Sequence, residues 1–363
     1  MFSFSSVTLT RYRNYFLQTF SFEEKVVGIC GPNGSGKTNL LDALYYLCFT
    51  RSYFGRSDQQ NACLPGQGFR LEATLQSTAT PVLLTCILRE TGKKEFTVNG
   101  EAYRKFSDHI GRYPAVMIAP DDVELISGGS ELRRKFLDTL LSQLDQGYLQ
   151  NLIAYQKILQ QRNSFLKNNP ATNVLDPTVL DILDNQLAEK GKQLFIARKN
   201  FLSGFIGPVQ EHYLTIAGKS EGIAIRYESQ LDRGNFEELL LNNRHRDLLL
   251  QRTGIGIHRD DLIITLGGEA FKNLASQGQK KSLLFALKLA EYAALKNHTG
   301  FSPILLLDDV FEKLDSTRMH NLLHKVCVEE NGQVFITDTH PERLRQALEE
   351  LSVPFQLLEL KLP

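Results

Sequence analysis

The segment Gly31-Pro32-Asn33-Gly34-Ser35-Gly36-Lys37-Thr38 matches the spacing G-x-x-x-x-G-K-[ST] in full. A strand-like apolar run, Lys25–Cys30, precedes it, and a helix-like run, Asn39–Phe49, follows it. Glycines at this spacing let successive backbone N–H groups turn inward around phosphate oxygens, and the helix N-terminus adds partial positive charge. Lys37 would reach the β- and γ-phosphates of a nucleoside triphosphate, and the Thr38 hydroxyl would ligate Mg²⁺. A second segment, Ile304-Leu305-Leu306-Leu307-Asp308-Asp309, reads as a buried parallel strand with acids at its C-terminal edge, where α/β ligands bind. There Asp308 would hold Mg²⁺ through water, and Asp309 would stand near the water that attacks the γ-phosphate. The third segment is Ala275-Ser276-Gln277-Gly278-Gln279-Lys280-Lys281-Ser282, ahead of the helical run Leu283–Ala294. Ser276 and Gly278 open that helix and make a second anion site. One phosphate loop suffices for most NTPases, so a second such site points to a neighbouring protomer as its user.

These segments need elements to position them. The first 130 residues mix strand and helix signals. Val7–Leu9, Arg70–Leu75, Val82–Leu88, Glu95–Val98 and Ala115–Ile118 read as strands, and Asn99-Gly100 as a hairpin turn. After Gly128-Gly129-Ser130 the pattern becomes helical, from Glu131 to Lys167. A break at Asn168-Asn169-Pro170 runs on to Asp176-Pro177, and a second helical stretch then carries Leu180, Leu187, Leu194 and Phe201 seven apart. The expectation is two helices of roughly 35 residues each, forming an antiparallel arm. A β and then α/β pattern resumes near Thr253. The organisation read this way is an α/β head at 1–130 and 253–363, interrupted by a helical lobe at 131–252.

Composition removes other classes. The chain has 363 residues, 41 basic and 41 acidic, with 42% hydrophobic and 23% charged residues, which is ordinary for a globular protein with a sizeable core. Zero net charge means that any basic face is local. The apolar run Pro303–Leu307 is far short of a bilayer span, and the N-terminus shows no apolar signal region. Five scattered cysteines without C-x-x-C spacing argue against a disulfide framework or zinc site and for a reducing cytosol.

The order phosphate loop, S-x-G-Q helix, then an apolar strand ending in two Asp resembles the ATP-binding-cassette ATPases. More closely, the sequence resembles the RecF family, bacterial recombination and repair ATPases related to SMC proteins. The resemblance runs through Leu9–Tyr15, Gly31–Asp42, Ala119–Ile126, Arg133–Asp138, Gly256–Leu262, Ala275–Lys281 and Leu307–Asp315. It implies an α/β ABC-type ATPase head with a helical second lobe. ATP, with Mg²⁺, would close a head-to-tail homodimer. Ser276 would then contact the γ-phosphate in trans, Asp309 would stand at the catalytic carboxylate position, and Asp315 would end a loop crossing the interface. The resemblance further implies binding of duplex or single-strand/duplex junction DNA, and action with RecO and RecR to load RecA at gaps. The match has departures. Gln277 replaces a glycine, Pro120-Asp121-Asp122 stands where a glutamine loop is expected, and His340 is out of register for a switch histidine. They are consistent with a weak ATPase.

A transporter nucleotide-binding subunit would share these motifs, but the long helical insertion and the missing glutamine loop argue against it. An SMC-type chromosome bridge needs a far longer arm, and a GTPase switch needs an N-K-x-D motif that is absent. His258-Arg259-Asp260-Asp261 could suggest a metal cluster but is read as structural or allosteric, because one His and two adjacent Asp on an extended segment face opposite sides. Arg133-Arg134-Lys135, and the group Lys93, Lys94, Arg104, Lys105 and Arg112, are the candidate DNA-facing cations.

Overall fold

The computed structural model of the protein describes residues 2–76, 80–168, 177–311 and 315–362. The chain forms two compact units. One comprises Met1–Val123, Glu211–Ser220 and Ser276–Pro363, and the other Glu124–Gln210 and Glu221–Ala275.

The first unit holds two sheets. The strands are β1 (Ser3–Tyr12), β2 (Tyr15–Ser21), β3 (Val26–Cys30), β4 (Phe69–Gln76), β5 (Val82–Leu88), β6 (Lys94–Val98), β7 (Glu101–Ala102) and β8 (Ala115–Ile118). The remainder are β9 (Ile223–Glu228), β10 (Asp261–Leu266), β11 (Glu269–Ala270), β12 (Ile304–Leu307), β13 (Val334–Asp338) and β14 (Phe355–Glu359). An antiparallel sheet runs β2-β1-β4-β5-β6-β7, and a parallel sheet runs β14-β3-β13-β12-β8. In β3, β8, β12 and β13 every residue is buried, as covered parallel strands require. In β4 buried and more exposed residues alternate, because one face meets the core and the other does not. The helix Lys37–Phe49 is buried along nearly its whole length, and its apolar residues share one core with both sheets. The expected hairpin turn is present: Asn99 and Gly100 both have positive φ, 50° and 85°.

The second unit departs from an all-helical lobe. It carries a three-stranded antiparallel sheet, β11-β10-β9, beside its helices. The expected first arm helix is two, Ser130–Leu144 and Gln146–Asn168, with Asp145 in extended conformation between them. The second is longer than anticipated, Pro177–Ala217, and the break expected around 169–176 lies outside the described residues. The boundaries also move. Residues 124–130 and 253–275 belong to this unit because β10 pairs with β9 and packs on the helix Ser130–Leu144.

The two long helices run antiparallel, as the pairs Tyr148–Arg198 and Arg162–Asp184 show. The buried stripe of the longer one contains Leu180, Leu187 and Leu194, but also Asp184 and Arg198. Arg198 is 1% exposed and donates to Asp138 (2.7 Å), Asp260 (2.8 Å), the Tyr148 hydroxyl (3.0 Å) and the Ile257 carbonyl (2.8 Å). Its partners hold the guanidinium charged well above its ordinary range despite burial. Arg162, fully buried, bridges Asp184 at 2.6 Å and Asp247 at 2.7 Å. Removing one partner of such a pair strands a buried charge. Arg198→Met should therefore destabilise the second unit by about 3–5 kcal/mol. Denaturant unfolding followed by hydrogen exchange checks this, and amides of 130–144 and 257–266 should lose protection first.

Candidate nucleotide-binding site

The phosphate-loop segment bridges the end of β3 and the helix Lys37–Phe49. Gly31, Gly34 and Gly36 have φ of 155°, 85° and 104°. At Gly36 the requirement is also steric. A Cβ there would stand 2.6 Å from both Asn14 Nδ2 and the Tyr15 hydroxyl. Those two side chains come from the β1–β2 hairpin and brace the loop. Asn14 Nδ2 donates to the Ser35 carbonyl (3.3 Å), and the Tyr15 hydroxyl donates to the Gly36 carbonyl (3.0 Å). Asn39 Nδ2 donates to Asn14 Oδ1 (2.7 Å), and Arg13 donates to Asn39 Oδ1 (2.9 Å) and to Asp42 (2.5 Å). Asp42, fully buried, also accepts from the Tyr12 hydroxyl (2.7 Å), the Ser52 hydroxyl (3.0 Å) and the Tyr53 N–H (2.8 Å). Burial and the neighbouring Asp42 carboxylate push the Tyr12 hydroxyl well above its ordinary pKa, so it stays a proton donor. Lys37 Nζ lies over the loop, donating to the carbonyls of Gly31 (2.7 Å) and Pro32 (3.1 Å).

The second segment meets this loop. Asp308, 4% exposed, accepts from the Thr38 hydroxyl at 2.9 and 3.0 Å and from the Thr337 hydroxyl at 2.8 Å. Thr337 Oγ1 in turn accepts from the Asp309 N–H at 2.8 Å. Asp309 is half-buried and has φ 47°, a left-handed turn that redirects the chain after β12. Burial raises the Asp308 carboxyl above the ordinary Asp range; the two threonine hydroxyls oppose that shift and the Asp309 charge adds to it. A hydroxyl and a carboxylate about 3 Å apart, both hard oxygen donors, fit a Mg²⁺ ion. The three contributors sit at the C-terminal ends of adjacent strands β3, β13 and β12, the usual ligand edge of a parallel sheet.

Residues 3–357 match the pattern of the RecF/RecN/SMC N-terminal domain. The chain is 42% identical over 356 residues to the DNA replication and repair protein RecF of Flavobacterium johnsoniae, covering 98% of this chain and 99% of that one. The chain belongs to the RecF family. It is also 40% identical over 338 residues to the RecF of Cytophaga hutchinsonii, covering 93% and 89% of the two chains. A solved structure of the recombination mediator protein RecF-ATP in the RecFOR pathway superposes with a TM-score of 0.85 at 30% identity, over 93% and 92% of the two chains. An Smc head domain from Pyrococcus furiosus shares the fold alone, with a TM-score of 0.54 at 14% identity over 97% and 92% of the chains. The fold is thus that of an ABC-type ATPase head with a helical second lobe.

Within this RecF-family site the other expected residues take varied places. Ser276 is exposed and caps the helix Gln277–Thr299, its hydroxyl accepting from the Gln279 N–H (3.2 Å) and its N–H donating to Gln279 Oε1 (2.8 Å). Those bonds belong to its own first turn, whose half-buried Gly278 leaves room beside Arg318: a Cβ there would be 3.7 Å from its guanidinium. Asp122 accepts from the Tyr53 hydroxyl and the Ala119 N–H, so it closes its own turn. The His340 side chain is 68% exposed and pairs with Thr339 at 2.8 Å; Thr337, three residues earlier, is the one that reaches Asp308. The expected interface loop 312–314 lies outside the described residues, and Asp315 caps the helix Ser316–His324.

His258-Arg259-Asp260-Asp261 is structural, as anticipated. His258 binds the Tyr155 hydroxyl and the Thr253 carbonyl, Asp260 pairs with Arg198, and Asp261 pairs with Arg133 at 2.6 Å. Burial lowers the His258 imidazole to about 4, so it is neutral. These bonds correct two of the candidate DNA contacts. Arg133 is committed to Asp261 and Arg134 to the Asp260 carbonyl, leaving Lys135 exposed. Lys94 is likewise structural, bonded to the Thr50 carbonyl and Asp58 and lying over the Tyr46 and Phe106 rings. Arg112 lies over the Tyr103 ring, and exposed Lys93 pairs with Glu95. Thr337, Asn14, Tyr15 and Asn39 had no motif of their own to announce them. Asn14 and Tyr15 fall inside the Leu9–Tyr15 segment of family resemblance, and Asn39 inside Gly31–Asp42.

Asp308 yields a stability prediction. Its folded-state carboxyl titrates above the unfolded value, so ionisation costs the folded chain, and stability declines as pH rises through the folded pKa. Asp308→Asn keeps acceptors for Thr38 and Thr337 without the buried charge. Without nucleotide or divalent cation, the variant should be more stable than wild type at pH 7–8 by about 1 kcal/mol. The difference should vanish toward pH 4. Melting curves across that pH range check it, and an unchanged or lower midpoint at pH 8 contradicts it.

Proposed function

We propose that the chain is an ATP-dependent DNA-binding protein of recombinational repair and replication-fork maintenance, with a weak, Mg²⁺-dependent ATPase as its gate. The observation that carries this reading is the Thr38–Asp308 hydrogen bond, which joins the phosphate loop to the acid-tipped strand. The loop N–H groups and Lys37 would bind the phosphates. Thr38 and Asp308 would hold Mg²⁺, which neutralises phosphate charge when bound. Asp309 would accept a proton from the attacking water. Its half-burial and left-handed turn, beside Thr337, support that role. Ser276 and Gly278, exposed or half-exposed on a helix N-terminus, suit a phosphate contact supplied to a second protomer. ATP would close a head-to-tail homodimer, and that dimer would bind duplex or single-strand/duplex junction DNA through phosphates and shape. RecF relatives are named for DNA replication and repair, and the superposed structure for the RecFOR pathway, which supports action with RecO and RecR in loading RecA.

The composite site is tested by mixing variants. Lys37→Met should lower ATP affinity about 10- to 100-fold by removing charged hydrogen bonds to phosphate. Ser276→Arg should leave monomer ATP binding intact and block closure. Mixed together, the two variants retain one intact composite site, so ATP-dependent association should return. Two folded variants that stay monomeric together would refute the trans arrangement.

DNA binding should be gated. At fixed salt the closed dimer should bind duplex more tightly than the nucleotide-free chain, with log K falling by about 0.9 per phosphate contact against log salt. Replacing Arg133 and Arg134, already committed within the protein, should leave that slope unchanged. Fluorescence anisotropy with and without ATP measures both, and equal affinity in the two states removes the gate.

A further inference from the structure

The segment that follows β14 reaches the phosphate loop. β14 pairs in parallel with β3 up to Glu359 opposite Cys30, and the pairing does not stop there. The Leu360 N–H donates to the Cys30 carbonyl at 2.7 Å, one residue before the loop begins. The Leu360 side chain packs against the core shared by the two sheets, which anchors this contact. The Leu360 carbonyl then turns onto Gly31. A Cβ at Gly31 would lie 2.5 Å from it and 2.8 Å from the Ser35 hydroxyl. Gly31 therefore has no room for a side chain beside Ser35 of its own loop and the residue after β14. Further on, Leu362 Cδ2 lies 4.0 Å from where a Cβ of Gly34 would be. Pro32, Asn33 and Gly34 form the exposed apex of the loop.

We infer that Leu360 and Leu362 are positioning residues of the phosphate loop, setting how tightly it holds ATP. The physical reason is geometric. Phosphate binding needs the N–H groups of the apex to converge on one point, and small displacements of such donors are costly. β3 fixes only the start of the loop and the helix Lys37–Phe49 only its end. The hairpin braces the helix side, at Ser35 and Gly36. On the other side, Lys37 bonds the Gly31 and Pro32 carbonyls, and 360–362 adds the contacts from outside the loop, at Cys30, Gly31 and Gly34. The inference rests on the reading of this loop as an ATP site.

Titration of the full chain with a fluorescent ATP analogue tests it. Leu360→Pro removes the N–H that donates to Cys30 and should weaken ATP affinity about five- to tenfold, the equivalent of one lost hydrogen bond. Turnover at saturating ATP should persist. Leu362→Gly should weaken affinity about two- to fivefold and speed hydrogen exchange of the 33–36 amides, and Leu362→Met should restore both. A purely structural segment would instead give a lower melting midpoint with ATP affinity unchanged, and that result overturns the inference. If Leu360→Pro does not fold, wild-type affinity and exchange in Leu362→Gly overturn it on their own. Failure of the unaltered chain to bind ATP is a separate outcome. It removes the reading of the site itself, and the inference with it.

Discussion

The head of this molecule is organised around one buried carboxylate. Asp308 is nearly inaccessible, and the hydroxyls of Thr38 and Thr337, with the charge of Lys37, offset the cost of its burial. Each hydroxyl belongs to a different part of the sheet: one begins the helix after β3, one ends β13, and the acid itself follows β12. The three can meet only if those strands are parallel, adjacent and in register. The register pairs Leu307 with Ile336 and Ile336 with Gly28, which brings the ends level. A residual cost remains, visible in the raised Asp308 carboxyl. A buried carboxyl shifted in this way, beside a phosphate loop, is the mark of a candidate functional site.

The phosphate loop is held from outside itself. Glycine-rich backbone is permissive and so does not define one shape. Here the shape comes from the β1–β2 hairpin on one side and the chain after β14 on the other. Asp42 secures the hairpin side, since it gathers Tyr12, Arg13, Ser52 and the Tyr53 N–H around one buried carboxylate. A displacement of the hairpin would break several charge-assisted bonds at once.

The second unit uses a different means of specification. Where its helices could meet through leucines alone, Arg162 and Arg198 occupy the seam and find carboxylates on other elements. A leucine seam tolerates a slip of one turn, but a guanidinium with two buried acids does not. The Gly256–Leu262 segment is central here, because Asp260 and Asp261 each receive an arginine from a different helix.

Much of the head was legible in the sequence because its signals are local. The loop spacing, the apolar strand ending in Asp308 and Asp309, and Ser276 at a helix start are each set within about ten residues, where backbone torsion, periodicity and capping act. The Asn99-Gly100 turn was legible for the same reason. Tertiary structure alone decided which of those signals meet. It joined Thr38 to Asp308 across 270 positions and added Thr337, which no motif signalled, to the pair. It committed Arg133, Arg134 and Lys94 to internal partners, though their clustering with other cations along the chain had made them candidates for DNA. It also placed β9 inside a stretch whose periodicity read as helical, assigned β10 and β11 to the second unit, and brought residues 360–362 against Gly31. Strand pairing, burial and charge partnership depend on residues far apart in the chain, so no local spacing records them.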